Sequence, residues 1–258
     1  MSGMRRGGNH KRYGRAGAVL LVLAATLVVV TVLVGTGTAG SAAGAPLVVI
    51  DPGHDRYANS ATEPIGPGSS SRKIKDGGGT RGVASGKPEA VINLAVSKRL
   101  ATLLKRAGLR VVMTRTTTSH VSMGNVARAQ IANRRHAAAL VRIHCDGASS
   151  GTTSTHTLYP AYRSGWTSDI YRPSLKLARL VQAELVRSLR FPSRGLDARS
   201  DITGFNWANV PVILPELGFL TNPGEDLILS SRAGQQKAAV GLCRGILRFL
   251  KRSPASCG

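Results

Sequence analysis

Two histidines and two glutamates stand out by type and by position: His54, Glu89, His144 and Glu216. A catalytic zinc takes imidazole nitrogen and carboxylate oxygen from three protein ligands and keeps a fourth position open. His54, Glu89 and His144 supply such a set. Zinc so held lowers the pKa of its water and polarises a substrate carbonyl. A further carboxylate, Glu216, then serves to accept the water proton and pass it to a leaving amine. Taken singly, each residue has a plainer reading. A histidine just after a strand is commonly a loop or capping residue. Glu89 in a first helical turn favours the helix dipole. Glu216 has many arginines to pair with. Asp51 either caps the turn before His54 or holds its ring from behind. Only common placement makes these residues a site.

The elements that must position them alternate in type. Leu47-Val48-Val49-Ile50 is a buried strand stopped by Asp51-Pro52-Gly53. Residues 55–87 are rich in Gly, Ser and charge and read as one long loop. Pro88 opens a helix that runs to Ala107 and stops at Gly108, with Ile92, Val96, Leu100 and Leu103 as its apolar stripe. Strands follow at 109–114, 139–144, 154–159 and 210–214, and helices at 123–136, 175–189 and 232–251. Pro211 limits pairing at its point in the last strand. This order predicts an α/β single domain with a twisted, mostly parallel sheet of about six strands flanked by helices. Ligands of such sheets bind beyond the carboxyl ends of the strands. His54 lies just past the first strand, His144 ends the third, Glu216 follows the last, and Glu89 opens a helix near the same edge. His156 falls in a strand near that edge and is a candidate substrate contact. His10, His120 and His136 lie in the leader, a loop and an Arg-rich helix. H-E-x-x-H, G-x-S-x-G and P-loop patterns are absent.

The chain has 258 residues, 42% of them hydrophobic, and a formal net charge of +22 from 35 Lys+Arg against 13 Asp+Glu. Such a field favours anionic partners. Arg5, Arg6, Lys11, Arg12 and Arg15 precede an uncharged run from Ala16 to about Gly35, and small residues fill Thr36 to Ala45. Basic, apolar, small is the order of a secretory signal. The run also has the length of a membrane span, so it reads as a signal peptide or a signal anchor. The expected organisation is a leader and spacer at 1–45, a hydrolase domain at 46–252 and a tail at 253–258. An exported protein, at the cell wall or in a periplasm-like space, meets anionic envelope polymers rather than nucleic acid. A monomer is expected. Export permits disulfides among Cys145, Cys243 and Cys257, and Cys243 with Cys257 is one pairing.

Four segments resemble the zinc-dependent N-acetylmuramoyl-L-alanine amidases of the amidase-3 type. Val49-Ile50-Asp51-Pro52-Gly53-His54 resembles the first metal motif. Pro88-Glu89, with the strand ending Val112-Met113-Thr114-Arg115, resembles the second. Arg128 to Asn133 with Val141-Arg142-Ile143-His144-Cys145-Asp146 resembles the third. Leu214-Pro215-Glu216-Leu217-Gly218-Phe219-Leu220-Thr221-Asn222 resembles the stretch with the catalytic glutamate. The resemblance implies Zn2+ on His54, Glu89 and His144, with Glu216 as acid/base. It implies cleavage of the amide between N-acetylmuramic acid and L-alanine in peptidoglycan. Asp55-Arg56 stands where the family often has Gly after the first histidine. Arg142 and Cys145-Asp146 replace its Ser before, and Ala-Asn after, the third ligand. A zinc peptidase cutting within the stem peptide, and a noncatalytic wall-binding or regulatory protein of this fold, are the alternatives.

Overall fold

Val48, Ile50, Val141 and Ile143 enter one buried cluster, while Val49, Leu140, Val212 and Leu214 enter another. Alternate residues of a strand face opposite sides of a sheet, so a sheet covered on both sides needs apolar residues at every position. That requirement accounts for the unbroken apolar runs in these strands. The structure is a computed structural model and describes residues 44–118, 123–149 and 151–258. The elements in chain order are β1 (Leu47–Pro52), β2 (Asn59–Pro64), β3 (Arg72–Asp76), α1 (Glu89–Arg106), β4 (Arg110–Met113), α2 (Asn125–Asn133), β5 (Ala139–Asp146), β6 (Thr155–Pro160), α3 (Tyr171–Leu189), β7 (Ser193–Arg199), α4 (Thr203–Asn206), β8 (Val212–Phe219), α5 (Pro223–Ser230) and α6 (Arg232–Phe249).

The expected α/β architecture is present. Six strands form one sheet in the order β4-β1-β5-β8-β6-β7. β4, β1, β5 and β8 run parallel. β6 is antiparallel to β8, and β7 is parallel to β6. Helices α1, α6 and α3 supply the core on one face of the sheet, with α2 and α4 on the other. Among the described residues no helix is long and apolar enough to cross a membrane. The basic and apolar leader lies outside the described residues.

The structure corrects several sequence expectations. Residues 55–87 are not one loop, because β2 and β3 pair there as an antiparallel hairpin. Its strands are mostly exposed and polar, so no alternation marked them. β7 was also missed, and it too is largely exposed and carries charges. β8 continues to Phe219, which places Glu216 inside the strand and not after it. Pro215 sits opposite Thr157 of β6 within that strand. Helix α3 begins at Tyr171 because Pro173 falls in its first turn, where a missing N–H costs nothing. Helix α5 has a start signal that sequence reading passed over. The Asn222 side chain accepts from the Gly224 and Glu225 amides, and Pro223 follows at the first helical position.

Cys243 and Cys257 are disulfide-bonded, 14 residues apart in sequence, and Cys145 is free and buried. The bond fastens the 3-10 turn at Pro254–Cys257 to α6. Closing a loop of this length in the unfolded chain is worth about 3 kcal/mol. Cys257→Ser is therefore expected to lower the melting temperature, measured by circular dichroism, while leaving the central sheet folded.

Candidate metal centre

The site forms where β1, β5, β8 and the start of α1 meet. After β1 the Gly53 amide donates to the Ile143 carbonyl at 2.8 Å, which keeps the chain against β5. A Cβ on Gly53 would run into the His144 ring, so glycine is required for the ring to lie there. His54 follows with φ 59°, a left-handed turn that carries its ring back over the sheet edge. Its ring meets that of His144 edge-on, with centroids 4.8 Å apart. Glu89, the first residue of α1, is 2% exposed. Its carboxylate accepts from the Thr80 amide at 2.9 Å, the Cys145 amide at 3.1 Å and the Asn93 side chain at 2.9 Å. The loop reaches this carboxylate through Gly79, at φ 71°, where a Cβ would stand 2.7 Å from Glu89 Oε2.

His54, Glu89 and His144 thus converge, with one ligand-type atom of each within 4.8 Å of the others. Glu89 Oε2 is 3.5 Å from His54 Nε2, and Oε1 is 3.2 Å from His144 Nδ1. Burial opposes ionisation of Glu89. The His144 hydrogen bond and the nearby imidazoles outweigh it, and hold the carboxyl at about 2. Burial pushes the His144 pKa down, which favours the neutral ring, the form that binds metal. His144 Nε2 is buried with no hydrogen-bond partner. An orphaned imidazole nitrogen beside a dry carboxylate and a second imidazole is the donor set of a divalent metal such as zinc.

Sequence reading missed Asp76. Its Oδ1 accepts from His54 Nδ1 at 2.6 Å and from the Gly78 amide at 2.8 Å, and its Oδ2 from the Asp55 amide at 2.7 Å. Asp76, at the end of β3, therefore holds the ring that Asp51 was a candidate to hold. The Asp-Gly-Gly-Gly run at 76–79 was the available signal, and alone it reads only as a turn. A carboxylate behind a ligating imidazole fixes its tautomer, and its loss typically costs 10–100-fold in metal affinity. Asp76→Asn is expected to weaken divalent-metal binding by about that factor, measured by competition with a chromophoric chelator.

Glu216 stands in register with His144 on β5 and with His156 on β6. Burial, then the charges of Glu89 and Asp146, push its pKa well above the usual carboxylate range. Its Oε2 is buried without a partner. An open cavity of about 420 Å³ is lined by all four predicted residues together with Gly79, Thr80, Asp146 and Thr221. His156 stacks on Phe219 and faces Asp146 at 3.6 Å, and it is not among the residues that line this cavity. His136 is exposed at the end of α2, and His10 and His120 lie outside the described residues.

A profile of N-acetylmuramoyl-L-alanine amidases matches residues 48–248, most of the chain. The chain belongs to this amidase family. An N-acetylmuramoyl-L-alanine amidase of Mycobacterium tuberculosis is 32% identical over 246 residues, covering 90% of this chain and 95% of the relative. The crystal structure of an N-acetylmuramyl-L-alanine amidase from Mycobacterium smegmatis matches with a TM-score of 0.72 and 30% identity, over 80% of this chain and 97% of that one. An N-acetylmuramoyl-L-alanine amidase of Clostridium difficile matches with a TM-score of 0.64 and 30% identity, over 80% and 97%.

Two of this amidase's departures from the family pattern join one buried network. Arg142 Nε donates to Asp51 Oδ2 at 2.8 Å, and its Nη2 to Asn125 at 2.6 Å. Arg128 bridges Asp51 at 2.7 Å and Asp55 at 3.1 Å, and Thr114 donates to Asp51 at 2.6 Å. Asp51 accordingly anchors two arginines beneath the site. Asp146, also atypical, accepts from the Gly147 amide at the mouth of the cavity.

Proposed function

We propose that this amidase is zinc-dependent, with His54, Glu89 and His144 holding the metal and Glu216 as general acid/base. The observation that carries the reading is the orphaned Nε2 of His144 in a cluster that shares one cavity with Glu216. Bound zinc would supply a polarised carbonyl and water acidified to near neutrality. Glu216 takes a proton from the attacking water and delivers it to the amide nitrogen. The bond from the lactoyl carbonyl of N-acetylmuramic acid to that nitrogen breaks, and the stem peptide leaves with a free L-alanine amino group. Burial and the nearby carboxylates raise the Glu216 pKa, which favours the protonated form that the delivery step uses. Asp76 keeps His54 oriented throughout.

The substrate is peptidoglycan, so the chain works outside the cytoplasm. The basic and apolar leader exports it, and either is removed or stays as a tether. The net charge of +22 draws it to anionic material of the envelope. Mass spectrometry of muropeptides digested by the zinc-loaded protein tests the reading. The expected products are stem peptides beginning at free L-alanine. Lactoyl-linked L-alanine retained on the glycan would instead assign a peptidase that cuts within the stem.

A further inference from the structure

Twelve of the 35 Lys and Arg residues lie on three helices. Helices α1, α6 and α3 lie side by side on one face of the sheet, and each carries four Lys or Arg residues. Their acids are Glu89 and Glu184 alone, and both are buried. Glu89 belongs to the metal cluster, and Glu184 is satisfied by Arg187 at 2.7 Å and Arg248 at 2.8 Å. Lys98, Lys105, Arg106, Lys176, Arg179 and Lys237 are exposed. The helix side chains of the layer thus offer exposed cations and no exposed carboxylate. Helices of 18 and 19 residues are about 27 Å long. With roughly 10 Å between neighbours, three of them form a plate rather than a groove. The large apolar residue exposed on them is Val91, at the end nearest the metal cleft, so the plate has charge for adsorption and no wedge for insertion.

Two further observations orient this plate. Its helices run along the strand direction, so Glu89 and the metal cleft lie at its rim, where α1 begins. Gly44 and Ala45 lie beside Ala107, Gly108, Arg252 and Ser253, where α1 and α6 end. The described chain therefore begins at the far rim.

We propose that the outer face of α1, α6 and α3 docks on an anionic lipid bilayer, and so keeps the metal cleft at the open rim while the domain is held at the membrane. The inference rests on the export reading above and is independent of which bond the site cuts. Each exposed cation near an anionic leaflet adds a separate electrostatic increment that salt removes. A flat array of cations matches a flat anionic surface over its whole area, whereas a linear wall polymer would meet only one row of it.

The test compares the full chain on vesicles of phosphatidylcholine with and without phosphatidylglycerol. The quantity read is the gain in partitioning due to the anionic lipid, because the apolar run binds both vesicles alike. The plate variant combines Lys98→Gln, Lys105→Gln, Lys176→Gln and Lys237→Gln. A control removes the same charge elsewhere, by Arg56→Gln, Arg134→Gln, Arg135→Gln and Arg194→Gln. The plate variant is expected to lose on the order of a hundredfold of that gain, and the control much less. Rising salt should erase the gain in the parent chain. Equal losses in the two variants would overturn the proposal. So would displacement of the parent chain from the vesicles by a purified polyphosphate wall polymer or duplex DNA that binds the plate more tightly. Turnover of soluble muropeptides by both variants verifies their folding. A failure of that turnover in the parent chain would count against the amidase reading and not against the docking face.

Discussion

Glu216→Gln is expected to abolish cleavage and leave metal content unchanged. General acid/base catalysis contributes about 10²–10⁴-fold, and glutamine can neither take nor give the proton at this position. The side chain is nearly isosteric, and Glu216 is not one of the three clustered ligand residues, so His54, Glu89 and His144 keep their arrangement. Two measurements separate the outcomes. Metal analysis of the purified variant should return the parent stoichiometry, and kcat on muropeptides should fall by at least the factor above with KM little changed. Undiminished kcat would remove Glu216 from the chemistry. Loss of metal along with activity would place it among the ligands instead.

The largest stability effect is expected at Asp51→Ala. Asp51 is fully buried and is shared by Arg128, Arg142 and Thr114. Burial opposes its ionisation, but the two guanidiniums outweigh burial and hold the carboxyl far below the usual range. Removing it leaves two arginines in the interior without their carboxylate. Breaking a buried pair from one side costs about 3–5 kcal/mol. For a domain of this size each kcal/mol lowers the melting temperature by roughly 2–4 °C. The sign of the pH dependence follows from the depressed value. A carboxyl lowered in the folded state contributes its full stability above the unfolded pKa, about 3.9, and loses it as pH falls further toward the folded value. The parent protein should therefore show a stability advantage over Asp51→Ala that is flat near neutrality and shrinks only in strong acid. Equal melting temperatures at pH 7 would show that the arginines find other partners.

Much of the sheet was legible because its central strands are covered on both faces. Leu47–Ile50 and Ala139–Val141 had to be apolar throughout, and apolar runs that short between turn residues read as strands. The site was legible for a related reason. Strands that run parallel bring their carboxyl ends together, so His54 and His144 had to meet, and a helix returning from that edge had to begin with Glu89. The exposed elements left no such trace. β2, β3 and β7 are polar on most positions, and their pairing comes from backbone bonds that any sequence can make. Asp76 was hidden with them. Glu216 was found as a residue but misplaced by element, since Pro211 and Pro215 look like strand breakers. Pro211 lies just outside β8, and Pro215 lies within it. The roles of Arg128 and Arg142 were obscured by number, because 35 basic residues make each one look solvated.

The hairpin has one more consequence. Its base is fastened to the first histidine through Asp76, and its tip through Trp207 Nε1 to the Pro64 carbonyl at 2.9 Å and Lys73 to Asp201 at 2.9 Å. An isolated two-stranded hairpin is marginally stable in water. A ligand that binds only the closed form shifts the opening equilibrium in proportion to its occupancy. Metal should therefore slow amide hydrogen exchange at Asp55 and Gly78, whose N–H groups donate to Asp76, more than at the tip. These two amides are a built-in gauge of whether the enzyme is loaded.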